Sequence, residues 1–267
     1  MKIMTVIAGY NNADVLPFTA KVPLEISEKV IFIDGIRPII KRKSPIIKWQ
    51  DHTNNKNSSD NTIDVCKSLG IEYMTINVPI YNGTKINIAN VFMRQRKIEF
   101  DTVLYLESDE ALEPDDMNKI VEGIESSINA SKHGFNSFDL IQLWKDQSGF
   151  RVSPSCSKVI KDINFKFPDG DEGHNAGPVI REAFQNVIPA RMYHLHMFRT
   201  NALKRVFKIR GKDTWLGGGD GGGIVIDKVK FELKQTDFLK SIYNTLKIQD
   251  RENLDELKNT YVGEKCG

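Results

Sequence analysis

The sequence predicts an α/β fold: a mixed, mainly parallel sheet flanked by helices, with a less regular C-terminal region. Three observations predict it. Short, continuous apolar runs at residues 3–8, 30–33 and 102–106 read as strands, the last of them buried on both faces, the kind parallel sheets contain. Helical or cap-bounded stretches stand between them, so strand and helix alternate. Acids, asparagines and glycines gather at the far end of each run, where open α/β sheets bind ligands.

Taken in order, the first strand (3–8) stops at the turn formers Gly9-Tyr10-Asn11-Asn12. The second ends in Asp34-Gly35. Residues 41–59 hold Lys, Asn, Ser and Pro with little apolar content and read as an exposed loop. Ser58-Ser59-Asp60 then offers N-caps for a helix through Leu69, which Gly70 stops. The spacing predicts a third strand over 71–78 and a helix over 86–100. Pro114 suits the first position of the next helix, with Asp115 and Asp116 well placed against its dipole. Met117, Ile120, Val121, Ile124 and Ile128 fall on one face of it.

Beyond residue 138 the pattern loosens. Residues 139–144, 157–165 and 187–197 read as strands between polar loops, and 198–212 are basic and part apolar. The run Gly217 to Gly223 cannot hold a regular element. A final amphipathic helix starts near Asp237, with Phe238, Leu239, Ile242 and Leu246 facing inward. No internal repeat is visible.

Composition bounds the function classes. The 267 residues suffice for one full α/β core, alone or with an appendage. Lys+Arg 37 against Asp+Glu 35 leaves a net charge of +2, so nothing global asks for a nucleic-acid or membrane partner. Cys66, Cys156 and Cys266 are far apart, show no zinc spacing and fit a reducing compartment. No signal-peptide h-region opens the chain, and no apolar stretch nears the roughly 20 residues of a membrane span. A soluble, cytoplasmic protein is expected.

The most informative run is Asp101-Thr102-Val103-Leu104-Tyr105-Leu106-Glu107-Ser108-Asp109-Glu110. Strand alternation predicts that Glu107 and Asp109 leave the carboxyl end pointing the same way. Adjacent carboxylates repel, which raises the pKa of one unless a cation sits between them. Mg²⁺ or Mn²⁺ supplies such a charge and takes oxygen ligands. The alternative is an acidic loop that caps the next helix.

Four features then line up: Ala8-Gly9-Tyr10-Asn11-Asn12, Asp34-Gly35, Ser58-Ser59-Asp60-Asn61-Thr62, and Met93-Arg94-Gln95-Arg96-Lys97 ahead of Glu107-Ser108-Asp109-Glu110. In this order they resemble the family 2 glycosyltransferases with the GT-A (Rossmann-like) fold, over roughly residues 3 to 115. The resemblance implies a metal-dependent, inverting transfer of sugar from a nucleotide-diphosphate donor, a UDP-sugar first, to a hydroxyl. The acceptor would be a glycan, a lipid-linked group or another alcohol. It implies a GT-A domain over 1–200, with a nucleotide-sugar half at 1–115 and an acceptor half at 116–200. A basic, Gly-rich segment and the last helix follow at 201–267. The chain departs from the family at Glu107, where the first metal-motif Asp is usual, at Asn61 for Gly, and at Gln95 for Asn. About two dozen residues also separate Asp34 from Ser58, where the family often has almost none.

The resemblance assigns roles residue by residue. Asp109 becomes the leading metal ligand, with Glu107 a direct or indirect partner. Asp34 would contact the uracil or ribose, with Ala8, Tyr10, Asn11 and Ser108 at the neighbouring strand tips. Tyr10 is equally readable as a core aromatic; Asp60 matches a family position near the nucleotide and is equally readable as a cap for its own helix. Arg94 would reach base or phosphates. The loop Phe167-Pro168-Asp169-Gly170-Asp171-Glu172-Gly173-His174-Asn175 would carry the general base, Glu172 with Asp171 close behind, unless it is a polar surface turn. His194 and His196, two apart, would share a strand face and could complete the metal shell or serve the fold. The basic residues Arg199, Lys204, Arg205, Lys208, Arg210 and Lys212 read as a solvated face that could also meet diphosphate, an anionic acceptor or a membrane surface. The glycine run lacks the Lys-Ser/Thr ending of a phosphate loop and reads as a linker or a lid.

Two rivals remain. A sugar-phosphate nucleotidyltransferase would carry a Gly-rich, basic loop after its first strand, whereas Gly9-Tyr10-Asn11-Asn12-Ala13-Asp14 has one glycine and no base. A non-catalytic binding protein on the same fold is motivated by Glu107 and Gln95.

Overall fold

The computed structural model describes residues 1–35, 57–78, 80–130, 136–143, 148–153, 159–160, 166–167, 186–195, 198 and 225–246. The core sheet is built from β1 (Ile3–Gly9), β2 (Lys29–Asp34), β3 (Glu72–Thr75) and β4 (Thr102–Glu107). Its order is β3-β2-β1-β4, all parallel, closed at one edge by the short antiparallel strand at Val159–Ile160. The mainly parallel α/β architecture expected from the sequence is therefore present.

Period-two alternation explains how one strand feeds two cores. Ile3 and Ile7 of β1, Val30 and Phe32 of β2, and Leu104 and Leu106 of β4 share one cluster. Met4 and Val6, Ile31 and Ile33, and Val103 and Tyr105 share the opposite one. Each such side chain contributes roughly 1.5–3 kcal/mol by leaving water, so these continuous apolar runs fix both register and sheet position.

The first face is covered by α1 (Leu16–Thr19), α2 (Lys21–Ile26), α3 (Thr62–Ser68) and α5 (Met117–Ala130). The second is covered by α4 (Asn82–Gln95), through Ile86, Ala89 and Met93. In α5 the predicted stripe is correct, with Ile120 and Ile124 fully buried. That helix lies close on its strand: a Cβ at Gly123 would meet Ile188 Cγ2 at 2.6 Å.

A second sheet continues from the acidic tip. It comprises β5 (Glu110–Leu112), β6 (Ser137–Leu143), β7 (Ser148–Ser153), β9 (Val187–His194) and β10 (Val225–Glu232), where Val159–Ile160 is β8. The order is β10-β7-β6-β9-β5, antiparallel except for the β6–β9 pair. The last helix, α6 (Asp237–Thr245), buries Phe238, Leu239 and Ile242 as predicted, and Leu246 follows it inward. Thr236 caps it by accepting the Leu239 N–H at 3.1 Å.

Several boundaries differ from the sequence reading. The third strand stops at Thr75 rather than running to residue 78, since it is an edge strand with only one face covered. Helix α4 begins four residues before Ile86 and stops at Gln95, where Lys97 takes φ 51° and breaks it. The early start was hidden because Asn82 and Gly83 are poor helix formers. Helix α3 begins at Thr62 with Asn61 as its N-cap, and the Asn61 side chain makes no capping hydrogen bond. The strands β5, β7 and β10 were not anticipated. Among the described residues no helix is long and apolar enough to cross a membrane.

Candidate active site

Three strand tips form the site's floor. Gly9 of β1 is paired in register with Asp34 of β2, and Ala8 of β1 with Glu107 of β4. The two acids thus flank β1, about 10 Å apart at two strand spacings.

Asp34 is fully buried, and Ser58 holds both of its oxygens. The Ser58 N–H donates to Oδ2 at 2.9 Å and its hydroxyl donates to Oδ1 at 2.6 Å. Burial pushes the Asp34 carboxyl above its ordinary range; the two Ser58 bonds and the charge of Lys85 pull it back, while Asp60 adds a smaller upward push.

Lys85 is a residue that the sequence reading missed. Its side chain is buried in the first turns of α4, and Nζ donates to the carbonyl of Gly9 at 3.2 Å and to that of Gly35. A signal existed: Lys85 lies one turn before Ala89, on the same inward stripe as Ile86 and Met93. A lysine on an apolar helical stripe needs acceptors, and the carbonyls of Gly9 and Gly35 at the strand tips supply them.

The turn after β1 is fastened by the segment that opens α3. Asn11 sits at φ 52° in the left-handed region that asparagine tolerates. Its N–H donates to Ser58 Oγ at 2.8 Å, and its side chain accepts the Ser59 N–H at 2.8 Å. The Asn12 N–H donates to Thr62 Oγ1 at 2.8 Å and the Ala13 N–H to Asp60 Oδ2 at 3.1 Å. Asp60 Oδ1 also accepts from the Thr62 N–H and hydroxyl, so this carboxylate clasps the start of α3 to the β1 turn. Tyr10 is half-buried beside it, its N–H donating to Asn12 Oδ1 at 2.9 Å.

At the acidic tip the strand alternation does not continue. Ser108 and Asp109 form a turn, and Glu110 already belongs to β5. Glu107 and Asp109 have different partners there. Glu107 Oε1 accepts from Asn82 Nδ2 of α4 at 3.2 Å, and the Glu107 N–H donates to Glu110 Oε2 at 2.7 Å. Asp109 is buried, and its Oδ2 lies 3.8 Å from His194 Nε2. The Leu195 N–H donates to the Asp109 carbonyl at 2.6 Å, which seats the turn on the end of β9. Ser108 is buried against Gly9, where a Cβ would meet Ser108 Oγ at 2.3 Å, and its N–H donates to the Ala8 carbonyl at 3.0 Å.

The structure thus gathers Ala8, Tyr10, Asn11, Asp34, Asp60, Glu107, Ser108, Asp109 and His194 at one edge. Arg94 stands apart. It lies in the last turn of α4, twelve residues from Asn82, which places it about 18 Å along the helix axis from that edge. A helix that follows a parallel strand runs back against it, so its C-terminus meets the amino ends of the strands. Arg96, nearby, pairs with Glu72 at the start of β3. Glu172, Asp171 and His196 lie outside the described residues, as do the basic segment from Arg199 to Lys212 and the glycine run. Phe167, four residues before Asp171 in the chain, is held: Asn87 of α4 donates to its carbonyl at 2.9 Å and accepts its N–H at 3.0 Å. Among the described residues no three His, Cys, Asp or Glu side chains converge as a metal cluster.

No protein-family model matches the chain, and no curated protein matches it. Solved structures do resemble it. One is S. aureus TarS 1-349, at 12% identity and TM-score 0.42, covering 80% of this chain and 66% of that one. The same protein in complex with UDP-GlcNAc aligns at 12% identity and TM-score 0.41, over 72% of this chain and 58% of that one. A third is 4-diphosphocytidyl-2C-methyl-D-erythritol synthase, at 10% identity and TM-score 0.40, over 71% of this chain and 90% of that one. The chain spans less than two thirds of the TarS chains it resembles. At such identities and scores the likeness assigns no activity.

Proposed function

We propose that the protein is a glycosyltransferase that moves a sugar from a nucleotide-diphosphate sugar, a UDP-sugar first, to an acceptor hydroxyl with inversion. The observation that supports this most is the placement of Asp34 and of the Glu107–Asp109 turn on either side of β1, at the carboxyl edge of one parallel sheet. The two strand spacings between β2 and β4, about 10 Å, suit a nucleoside on one side of β1 and a diphosphate on the other.

Sugar transfer makes three demands: a fixed donor, stabilisation of the departing diphosphate, and removal of the acceptor proton. Asp34 would accept hydrogen bonds from base or ribose, with Tyr10 and Asn11 at the neighbouring strand tip. Asp109 and His194 offer one carboxylate and one imidazole within reach of each other, which fits Mn²⁺ or Mg²⁺ when substrate phosphates complete the shell. Such an ion would neutralise charge on the leaving diphosphate. Glu107 is engaged by Asn82 and stands outside this pair. Glu172, or Asp171, takes the acceptor proton by resemblance.

The test is incubation with Mn²⁺ and a panel of UDP-, GDP- and TDP-sugars, following sugar release or transfer. Turnover with one base, lost by about 100-fold or more in Asp109→Asn, is expected. Silence across the panel from folded protein would overturn the proposal. A binding protein without turnover is the second reading, favoured by the tie between Glu107 and Asn82. It predicts nucleotide affinity that Asp109→Asn leaves unchanged.

A further inference from the structure

We propose that Ser58 is a positioning residue for donor recognition, holding the Asp34 carboxylate aimed across the β1 tip. The inference rests on the transferase reading and names the device behind its nucleoside-binding acid. Asp34 is buried at the end of β2, and a single residue 24 positions later in the chain occupies one lone pair on each of its oxygens. Ser58 is itself held, since its Oγ accepts the Asn11 N–H at 2.8 Å. The hydroxyl proton therefore has one direction left, toward Asp34.

A carboxylate oxygen has two acceptor sites, so each Asp34 oxygen has one beyond its bond from Ser58. The second pair is directed by the first, because rotation of the carboxylate would break both Ser58 bonds. An exposed serine that merely closed a loop would not need both its N–H and its hydroxyl on one acid. The groups facing Asp34 are Lys85 from α4, Asp60 ahead of α3, and the neutral Cys66 thiol from α3. Lys85 favours the ionised form and Asp60 opposes it, while Ser58 adds the bonds that favour it most strongly against burial. Removing the hydroxyl should shift Asp34 further upward, and a protonated Asp34 is a poorer acceptor.

The experiment measures calorimetric affinity for UDP, GDP and TDP with MnCl₂ from pH 5 to 8, in wild type, Ser58→Ala, Ser58→Thr and Asp34→Asn. The expected result is about tenfold weaker binding in Ser58→Ala at pH 7. The acid limb of its binding profile should move to higher pH, Ser58→Thr should restore both, and Ser58→Ala should add nothing in the Asp34→Asn background. Unchanged affinity and profile in Ser58→Ala would reduce Ser58 to a loop fastener and overturn the proposal while leaving the transferase reading intact. Wild type that binds none of the three diphosphates would sink the transferase reading and this proposal with it. Should Ser58→Ala fail to fold, Ser58→Cys keeps the N–H bond and a weak donor and carries the same comparison.

Discussion

Arg191 Nε donates to Asp116 Oδ2 at 2.7 Å, and the Arg191 backbone N–H donates to the same oxygen at 3.1 Å. Lys119 Nζ reaches the other oxygen at 2.8 Å. This joins the start of α5 to β9, and β9 carries His194 to the acidic tip.

Burial pushes the Asp116 carboxyl up, yet the Arg191 and Lys119 bonds outweigh it and hold the group well below the usual carboxylate range. A depressed folded pKa adds stability above the ordinary pKa near 3.9, and that stability is lost as pH falls through the folded value. Asp116→Asn should therefore cost about 2 kcal/mol at pH 7. The gap from wild type should narrow below about pH 4. Urea titrations at pH 7 and pH 3 check this, and an equal gap at both would refute it.

Glu113 is fully buried and its Oε2 accepts from the Tyr193 hydroxyl at 2.9 Å and the Thr236 hydroxyl at 2.7 Å. Thr236 therefore caps α6 and anchors it to Glu113, just after β5. Thr236→Ala should destabilise by about 2 kcal/mol, combining a lost cap with a buried acceptor left short. Thr236→Ser should recover most of it. Hydrogen exchange on α6 would report the change, and an unaltered α6 would count against the anchor.

Gly9→Ala should drive the tips of β1 and β4 apart, because the new Cβ would lie 2.5 Å from Ser108 Cβ as well as on its Oγ. A loss of about 1–3 kcal/mol is expected. Ser108→Gly in the same chain removes both clashing atoms and should restore much of that stability, a coupling that a double-mutant cycle measures.

Burial, with the charge of Asp34 nearby, pushes the Cys66 thiol up to about 12. Native protein at pH 8 should leave Cys66 unalkylated by iodoacetamide over hours, and guanidinium-unfolded protein should react within minutes. Peptide mass spectrometry separates Cys66 from the other cysteines. Equal labelling in both states would mean that α3 opens readily.

The first half of the fold was legible because β1, β2 and β4 are buried on both faces. A continuous apolar run such as Val103 to Leu106 leaves no other element to choose. The tip acids were legible for the same reason, since Asp34 and Glu107 sit where such runs end. The turn at Ser108 and Asp109, which interrupts the strand alternation, was not. Strand β5 hid inside Glu110-Ala111-Leu112, three residues that gain a ladder only from pairing with β9. The register of α4 was obscured by Asn82 and Gly83, and with it the burial of Lys85. Arg94 illustrates a different failure: a motif match fixes order along the chain, while the helix that carries it decides which end of the sheet it reaches.

The fastening of Asp34 by Ser58 bears on how this chain can change. The strand leaves the sheet at Gly35 and the chain is stapled back at almost the same point. A detour that starts and finishes at one address can grow, shrink or be exchanged without re-registering any strand, and each doubling of its length adds only about 0.6 kcal/mol of closure entropy. Changes in length would then be expected to concentrate at that doorway, leaving the pleated floor beneath untouched.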